Sequence, residues 1–85
     1  MTVAANSIAS YLSLDNVELG NRQRLVLEAL RYAPACNRAL AKRLRLPVNV
    51  ITPRVKELRD LGLVTEAWDD IDPETNRPVI VWRAV

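Results

Sequence analysis

Pro47 splits the segment from Asn37 to Val64, NRALAKRLRLPVNVITPRVKELRDLGLV, into two short amphipathic stretches, and Gly62 closes the second. Proline has no N–H to donate and clashes with the preceding helical turn, so the chain must leave one helix and start another within a few residues. The second helix is expected from about Val48 to Leu61. Ile51, Val55, Leu58 and Gly62 then fall on one side, at the spacings of a face that packs inward. Asn49, Thr52, Pro53, Lys56 and Asp60 take the other side, with Arg54 and Arg59 at its margins. Helix, tight connection, helix and then a strand is the layout of a helix-turn-helix. An outward face with Asn, Thr, Lys and Arg near its start suits base edges and phosphates.

Pro53 leaves two starting points open. A proline in a helix interior costs about 3 kcal/mol or more, but none of this where it lies in the first turn. Either the helix begins at Val48, or its regular part begins at Thr52 with Asn49 to Ile51 as an irregular lead-in. In both cases Asn49 to Arg54 is the amino end, the part that a recognition helix inserts.

The flanking segments complete a small α+β domain. Residues 1–7 are small and polar, and IASYLSL (8–14) places Ile8, Tyr11 and Leu12 on one face of a short helix that needs a docking partner. After a connector, Asn21 is expected to cap a helix whose buried stripe is Leu25, Val26, Ala29, Leu30 and Ala33, ended by Pro34. Ala35 and Cys36 read as a two-residue strand. Asn37 is expected to cap the next helix, with Leu40, Ala41 and Leu44 inward and Arg38, Lys42, Arg43 and Arg45 toward solvent or phosphate. LVTEAW (63–68) and VIVWRAV (79–85) read as strands, with DDIDPETNRP between them as a long loop. The expected fold is a winged helix-turn-helix: a three-helix core, a C-terminal β-hairpin wing and a short extra N-terminal helix. Residues 1–19 form the extension and 20–85 the domain.

Charge is segregated along the chain. Residues 22–59 hold ten Lys or Arg against two acids, a net of +8, whereas residues 1–21 carry −2 and residues 60–85 carry −4. The positive potential is therefore focused on the helical middle, although the whole chain is only +2. The plainer reading of the same residues is a solvated helix surface, because Arg and Lys are good helix formers.

Composition narrows the chemistry. Eighty-five residues make one small domain with a thin stability margin, which pairing with a second copy improves. The single Cys36 rules out an intrachain disulfide and is expected as a small buried residue. No apolar run is long enough for a membrane span and no signal peptide is evident, so a cytoplasmic location is expected. Histidine is absent, which removes the commonest acid–base group and metal ligand. Asp69, Asp70, Asp72 and Glu74 crowd one turn but lack the glycine and distal glutamate of a calcium loop. The expectation is a non-enzyme without cofactor or metal. Trp68 and Trp82 either approach one another or flank the core singly, with Tyr11 and Tyr32 packed on the same unit.

The stretch LAKRLRLPVNVITPRVKELRDLGLV resembles the helix-turn-helix of MarR-like winged-helix proteins. It is closer still to short phage and prophage winged-helix proteins with a PxNxxTPRVxELRxxGLV segment followed by T-x-R and VWR. Here these are Pro47, Asn49, Thr52, Pro53, Arg54, Val55, Glu57, Leu58, Arg59, Gly62, Leu63 and Val64, then Thr75, Arg77, Val81, Trp82 and Arg83. The resemblance covers residues 20–85. It implies Asn49, Thr52, Arg54 and Lys56 at the major groove, and Asn76 and Arg77 at the wing tip over the minor groove. Arg38, Lys42, Arg43, Arg45 and Arg59 complete the set expected to contact DNA. The acids Asp69 to Glu74 depart from a DNA-binding wing and would repel phosphate facing them. The expected function is a sequence-specific double-stranded DNA-binding protein, a small phage or bacterial regulator, with a homodimer on a palindrome as the economical assembly. The alternative is an interaction module binding a host protein, since a fold does not determine function. A third reading, single-strand binding, would use Trp68 and Trp82 as stacking platforms.

Overall fold

The computed structural model describes residues 19–85. The helix expected at Ile8 to Leu14, and with it Tyr11, lies outside the described residues. Within them run α1 (Asn21–Tyr32), α2 (Asn37–Leu44), α3 (Val48–Asp60), β1 (Val64–Ile71) and β2 (Pro78–Ala84). Three helices followed by a two-stranded antiparallel hairpin make a winged helix-turn-helix.

Gly20, not Asn21, caps α1, and its N–H donates to Gln23 Oε1 at 2.8 Å. Asn21 is already the first helical residue, so its side chain is one position too late to cap. The buried stripe is Val26, Leu27 and Leu30, whereas Leu25 is 48% exposed and Ala29 and Ala33 are only half-buried. The face is thus rotated toward Leu27. Ala33 is extended because Pro34 follows it and disfavours the helical region for its neighbour. Tyr32 is 88% exposed, contrary to the expectation that it packs on the same unit as the tryptophans.

Cys36, not Asn37, is the N-cap of α2, and Asn37 spends its amide on Thr52 Oγ1 at 3.3 Å. The helix ends in paired backbone bonds, Arg45 N–H to Lys42 O at 3.3 Å and Leu46 N–H to Ala41 O at 3.0 Å. That closure puts Arg45 in the left-handed region at φ 55°. Gly62 does the same for α3 at φ 78°, with Gly62 N–H on Arg59 O and Leu63 N–H on Leu58 O, both 2.9 Å.

Of the two starting points for α3, the structure takes Val48. Val50 and Ile51 donate to the carbonyl of Pro47, and Thr52 Oγ1 donates to Val48 O at 3.1 Å. Pro53 therefore lies past the first turn and removes the bond to the carbonyl of Asn49. Asn49 and Pro53 are both exposed, so that carbonyl is on the wet side of the helix, where water limits the cost.

Leu40, Ile51 and Val26 are fully buried, and with Val55, Leu58, Leu27, Leu30, Val64 and Trp82 they form one core between the helices and the base of the hairpin. Burying each such side chain contributes about 1.5–3 kcal/mol, so α3 is fixed in depth and rotation by its three inward residues. Ala35 and Trp82 exchange backbone hydrogen bonds of 3.0 and 2.9 Å, a single bridge where two strand residues were expected.

The hairpin is longer and its loop shorter than the sequence suggests. Asp69, Asp70 and Ile71 pair with Ile80, Val79 and Pro78, so branched partners across the ladder carry the first two acids into β1. A bulge at Ala67 shifts the register between Glu66 and Trp68. The remaining loop is closed by Asp72 N–H to Arg77 O at 2.9 Å and Asn76 N–H to Asp72 O at 2.7 Å, with Asn76 at φ 57°. Of the two arrangements open to the tryptophans, Trp82 is in the core and Trp68 remains 52% exposed.

Candidate nucleic-acid interface

Because Ile51, Val55 and Leu58 point inward, the outward meridian of α3 carries Asn49, Pro53, Lys56 and Asp60, all exposed. Thr52 lies on the margin toward α2, where it accepts from Asn37, and Arg54 on the margin toward α1. Lys56 pairs with Asp60 at 3.1 Å one turn on, but its side chain is 74% exposed and swings easily. Arg45 stands exposed in the turn leading into α3, with no ion pair among the described residues. Asn49 and Thr52 are thus exposed in the amino half of the second helix and Lys56 one turn further on, with Arg45 exposed just before the helix starts.

Of the other basic residues expected to contact DNA, Arg38, Lys42, Arg43, Arg54 and Arg59 are engaged within the chain. Arg38 Nε lies 2.8 Å from Asp72 Oδ2 and its Nη2 lies 2.7 Å from Glu74 Oε1, while Lys42 pairs with the second oxygen of Glu74. Asp72 is buried at 5% exposure and accepts the N–H of Glu74 at 2.9 Å, so one carboxylate both shapes the loop and anchors it to α2. Arg43 donates to Ala33 O at 3.1 Å, tying the end of α2 to the end of α1. Arg59 stacks on the ring of Trp82, 4.8 Å from its centroid. Asn76 and Arg77 are exposed in the hairpin loop.

Arg54 grips Glu57 with two bonds, Nε to Oε1 at 2.7 Å and Nη2 to Oε2 at 2.8 Å, and Gln23 Nε2 donates to the same Oε1 at 2.9 Å. The hydrogen bonds from Arg54, then from Gln23, hold the Glu57 carboxyl below its ordinary range, and the bond to Glu57 raises the Arg54 guanidinium. Sequence reading passed over Gln23, Glu57, Asp72 and Glu74 as partners. Glu57 carried a local signal, three residues after Arg54, but nothing in sequence joins Gln23 to it or Glu74 to Lys42.

Among the described residues no cluster of His, Cys, Asp or Glu could hold a metal ion, and no helix is long and apolar enough to cross a membrane.

No family model matches the chain, and no curated protein matches it. Solved structures do. The zinc-responsive MarR family member ZitR of Lactococcus lactis superposes with a TM-score of 0.68 at 23% identity, over 82% of this chain and 46% of that one. A C30AH42A mutant of ZitR gives 0.66 at 20% identity, over 100% and 66%. The adhesin competence repressor AdcR of Streptococcus pyogenes gives 0.63 at 22%, over 98% and 59%. This chain spans less than two thirds of the length of these proteins. At such identities the likeness is one of fold: the described residues share a winged helix-turn-helix with these proteins.

Proposed function

We propose that this chain is a sequence-specific double-stranded DNA-binding protein, a small transcriptional regulator that lays the amino half of α3 in the major groove and acts without cofactor. One observation carries the reading. Asn49, Thr52 and Lys56 are exposed on the second helix of the motif with Arg45 at its entrance, while the acids of the hairpin loop are spent on α2. Asn suits the edge of adenine, and Thr and Lys suit base edges or flanking phosphate. Arg43 and Arg45 would neutralise backbone phosphates, and Asn76 and Arg77 would lie against the minor groove. Steric occupation of a site needs no catalytic group. One domain covers a short site, so useful specificity would come from two copies on half-sites about one helical turn apart.

The test is titration of a labelled mixed-sequence duplex at low and moderate salt, followed by selection of bound sequences from a random pool. Affinity falling steeply with salt, and weakened by Arg45→Ala, supports the proposal. An Asn49→Ala variant should cost about 1–3 kcal/mol on the selected site and relax one base position. Absence of duplex binding at low salt sinks the reading and turns attention to a protein partner.

A further inference from the structure

Arg54 makes its two bonds to Glu57 through Nε and Nη2, which leaves Nη1 without a partner among the described residues. A guanidinium has five donors and no acceptor, so the remaining ones are satisfied only by water or an anion. Gln23 holds Glu57 from α1, and the carbonyl end of the Gln23 amide accepts from Gly20 N–H at 2.8 Å. Every link from the Gly20 backbone to Arg54 is therefore made, and the chain of bonds spans two helices. The open depression beside it is lined by Gly20, Asn21, Arg22, Gln23, Arg54 and Glu57. Two further arginines, Arg22 and Arg24, and no acid lie in the first turn of α1, so with Arg54 they outnumber the single Glu57 of the depression and the local charge is net positive.

We infer that Glu57 and Gln23 are positioning residues that hold Arg54 for contact with a DNA phosphate at the edge of the groove, beside the start of α1. This rests on the DNA-binding reading and names how one contact of that site is built. A flexible arginine loses rotamer freedom each time it binds, whereas one already clamped side-on does not, and its exposed edge stays aimed. The competing account is that Glu57 merely neutralises Arg54. The two accounts differ in sign. Removing an acid from a surface that meets phosphate should strengthen binding if neutralisation is all that Glu57 does, and should weaken binding if Glu57 positions the arginine.

The test is salt-dependent anisotropy of a labelled mixed-sequence duplex with the wild-type chain, Arg54→Ala, Glu57→Gln, the double variant and Gln23→Met. Glu57→Gln is expected to weaken binding about two- to tenfold, the effect of one hydrogen bond. It should flatten the salt slope toward that of Arg54→Ala, which loses about one unit, and the double variant should be no worse than Arg54→Ala alone. Gln23→Met keeps both charges and should move affinity in the same direction by less, which covers the case in which Glu57→Gln does not fold. Equal or tighter binding by Glu57→Gln overturns the inference. So does Gln23→Met at wild-type affinity if it is the only one of the two that folds. If wild type shows no salt-dependent duplex binding, the DNA-binding reading falls and takes the inference with it. If wild type binds and Arg54→Ala weakens it while Glu57→Gln does not, the positioning role alone falls.

Discussion

Arg38 Nε sits 2.8 Å from Asp72 Oδ2, so the hairpin loop reaches back and occupies a cation that the helix-turn-helix would otherwise offer to phosphate. Glu74 completes the contact by taking both Arg38 and Lys42. Asp72 is buried and builds the loop, whereas the Glu74 side chain is 43% exposed and acts mainly through charge. Glu74→Gln is therefore expected to leave the fold intact, tighten duplex binding at low salt, and steepen the salt dependence by about one unit as Lys42 is released. Anisotropy titrations at three salt concentrations measure this. An unchanged slope means that Lys42 does not reach the backbone.

Arg59 covers the face of Trp82, itself only 7% exposed. Arg59→Ala should lower stability by about 0.5–1 kcal/mol, the range for a partly exposed cation over an indole. Thermal melting would show it, and in a Trp68→Phe background the remaining emission should shift to the red as Trp82 meets water. Duplex affinity should fall less than for Arg45→Ala. An affinity loss as large as that of Arg45→Ala, without a stability change, would return Arg59 to the DNA surface.

The periodicity of residues 37–64 made the helix-turn-helix legible because inward and outward faces alternate there without ambiguity, and Pro47 and Gly62 mark where each helix stops. The caps were less legible. Asn21 and Asn37 are good cap residues, but Gly20 and Cys36 hold those positions, since the packing of Val26, Leu27 and Leu40 sets where each helix starts. Acid-rich composition also mistook Asp69 and Asp70 for loop, because cross-strand pairing with Ile80 and Val79 outweighs the turn preference of aspartate. The side chains of the candidate site were all visible as exposed polar residues. Their partners were not, because Gln23–Glu57 and Lys42–Glu74 join segments more than thirty residues apart.

Arg45 closes α2 at φ 55° and ψ 45°, a conformation that a side chain with a Cβ adopts at a cost. Glycine would relieve about 1–2 kcal/mol of that strain while losing about 0.5–1 kcal/mol to the greater freedom of the unfolded chain. Arg45→Gly should accordingly raise the melting temperature by a few degrees and yet weaken duplex binding, with a salt slope lower by about one unit. A phosphate contact would give this position a use for arginine that glycine lacks. Gly62→Ala, at φ 78° with open space around the new Cβ, should destabilise by about 1 kcal/mol through backbone strain alone. If Arg45→Gly gains stability without losing affinity, Arg45 is a surface residue only.

Glu57 links stability to pH. Its carboxyl is held below the ordinary range by Arg54 and then by Gln23, so the folded chain binds its proton less readily than the unfolded chain does. The sign follows from that difference: the stabilisation is complete above the unfolded pKa of about 4.3 and is lost as pH falls through the lower folded value. Melting temperature should therefore drop below about pH 4.3, and Glu57→Gln should flatten that drop while leaving the neutral-pH baseline lower than wild type. Arg54→Lys should behave in between, because a lysine keeps the charge but cannot make the paired bonds through Nε and Nη2. An acid limb of the melting curve that is the same in wild type and Glu57→Gln would show that Glu57 does not carry the pH dependence.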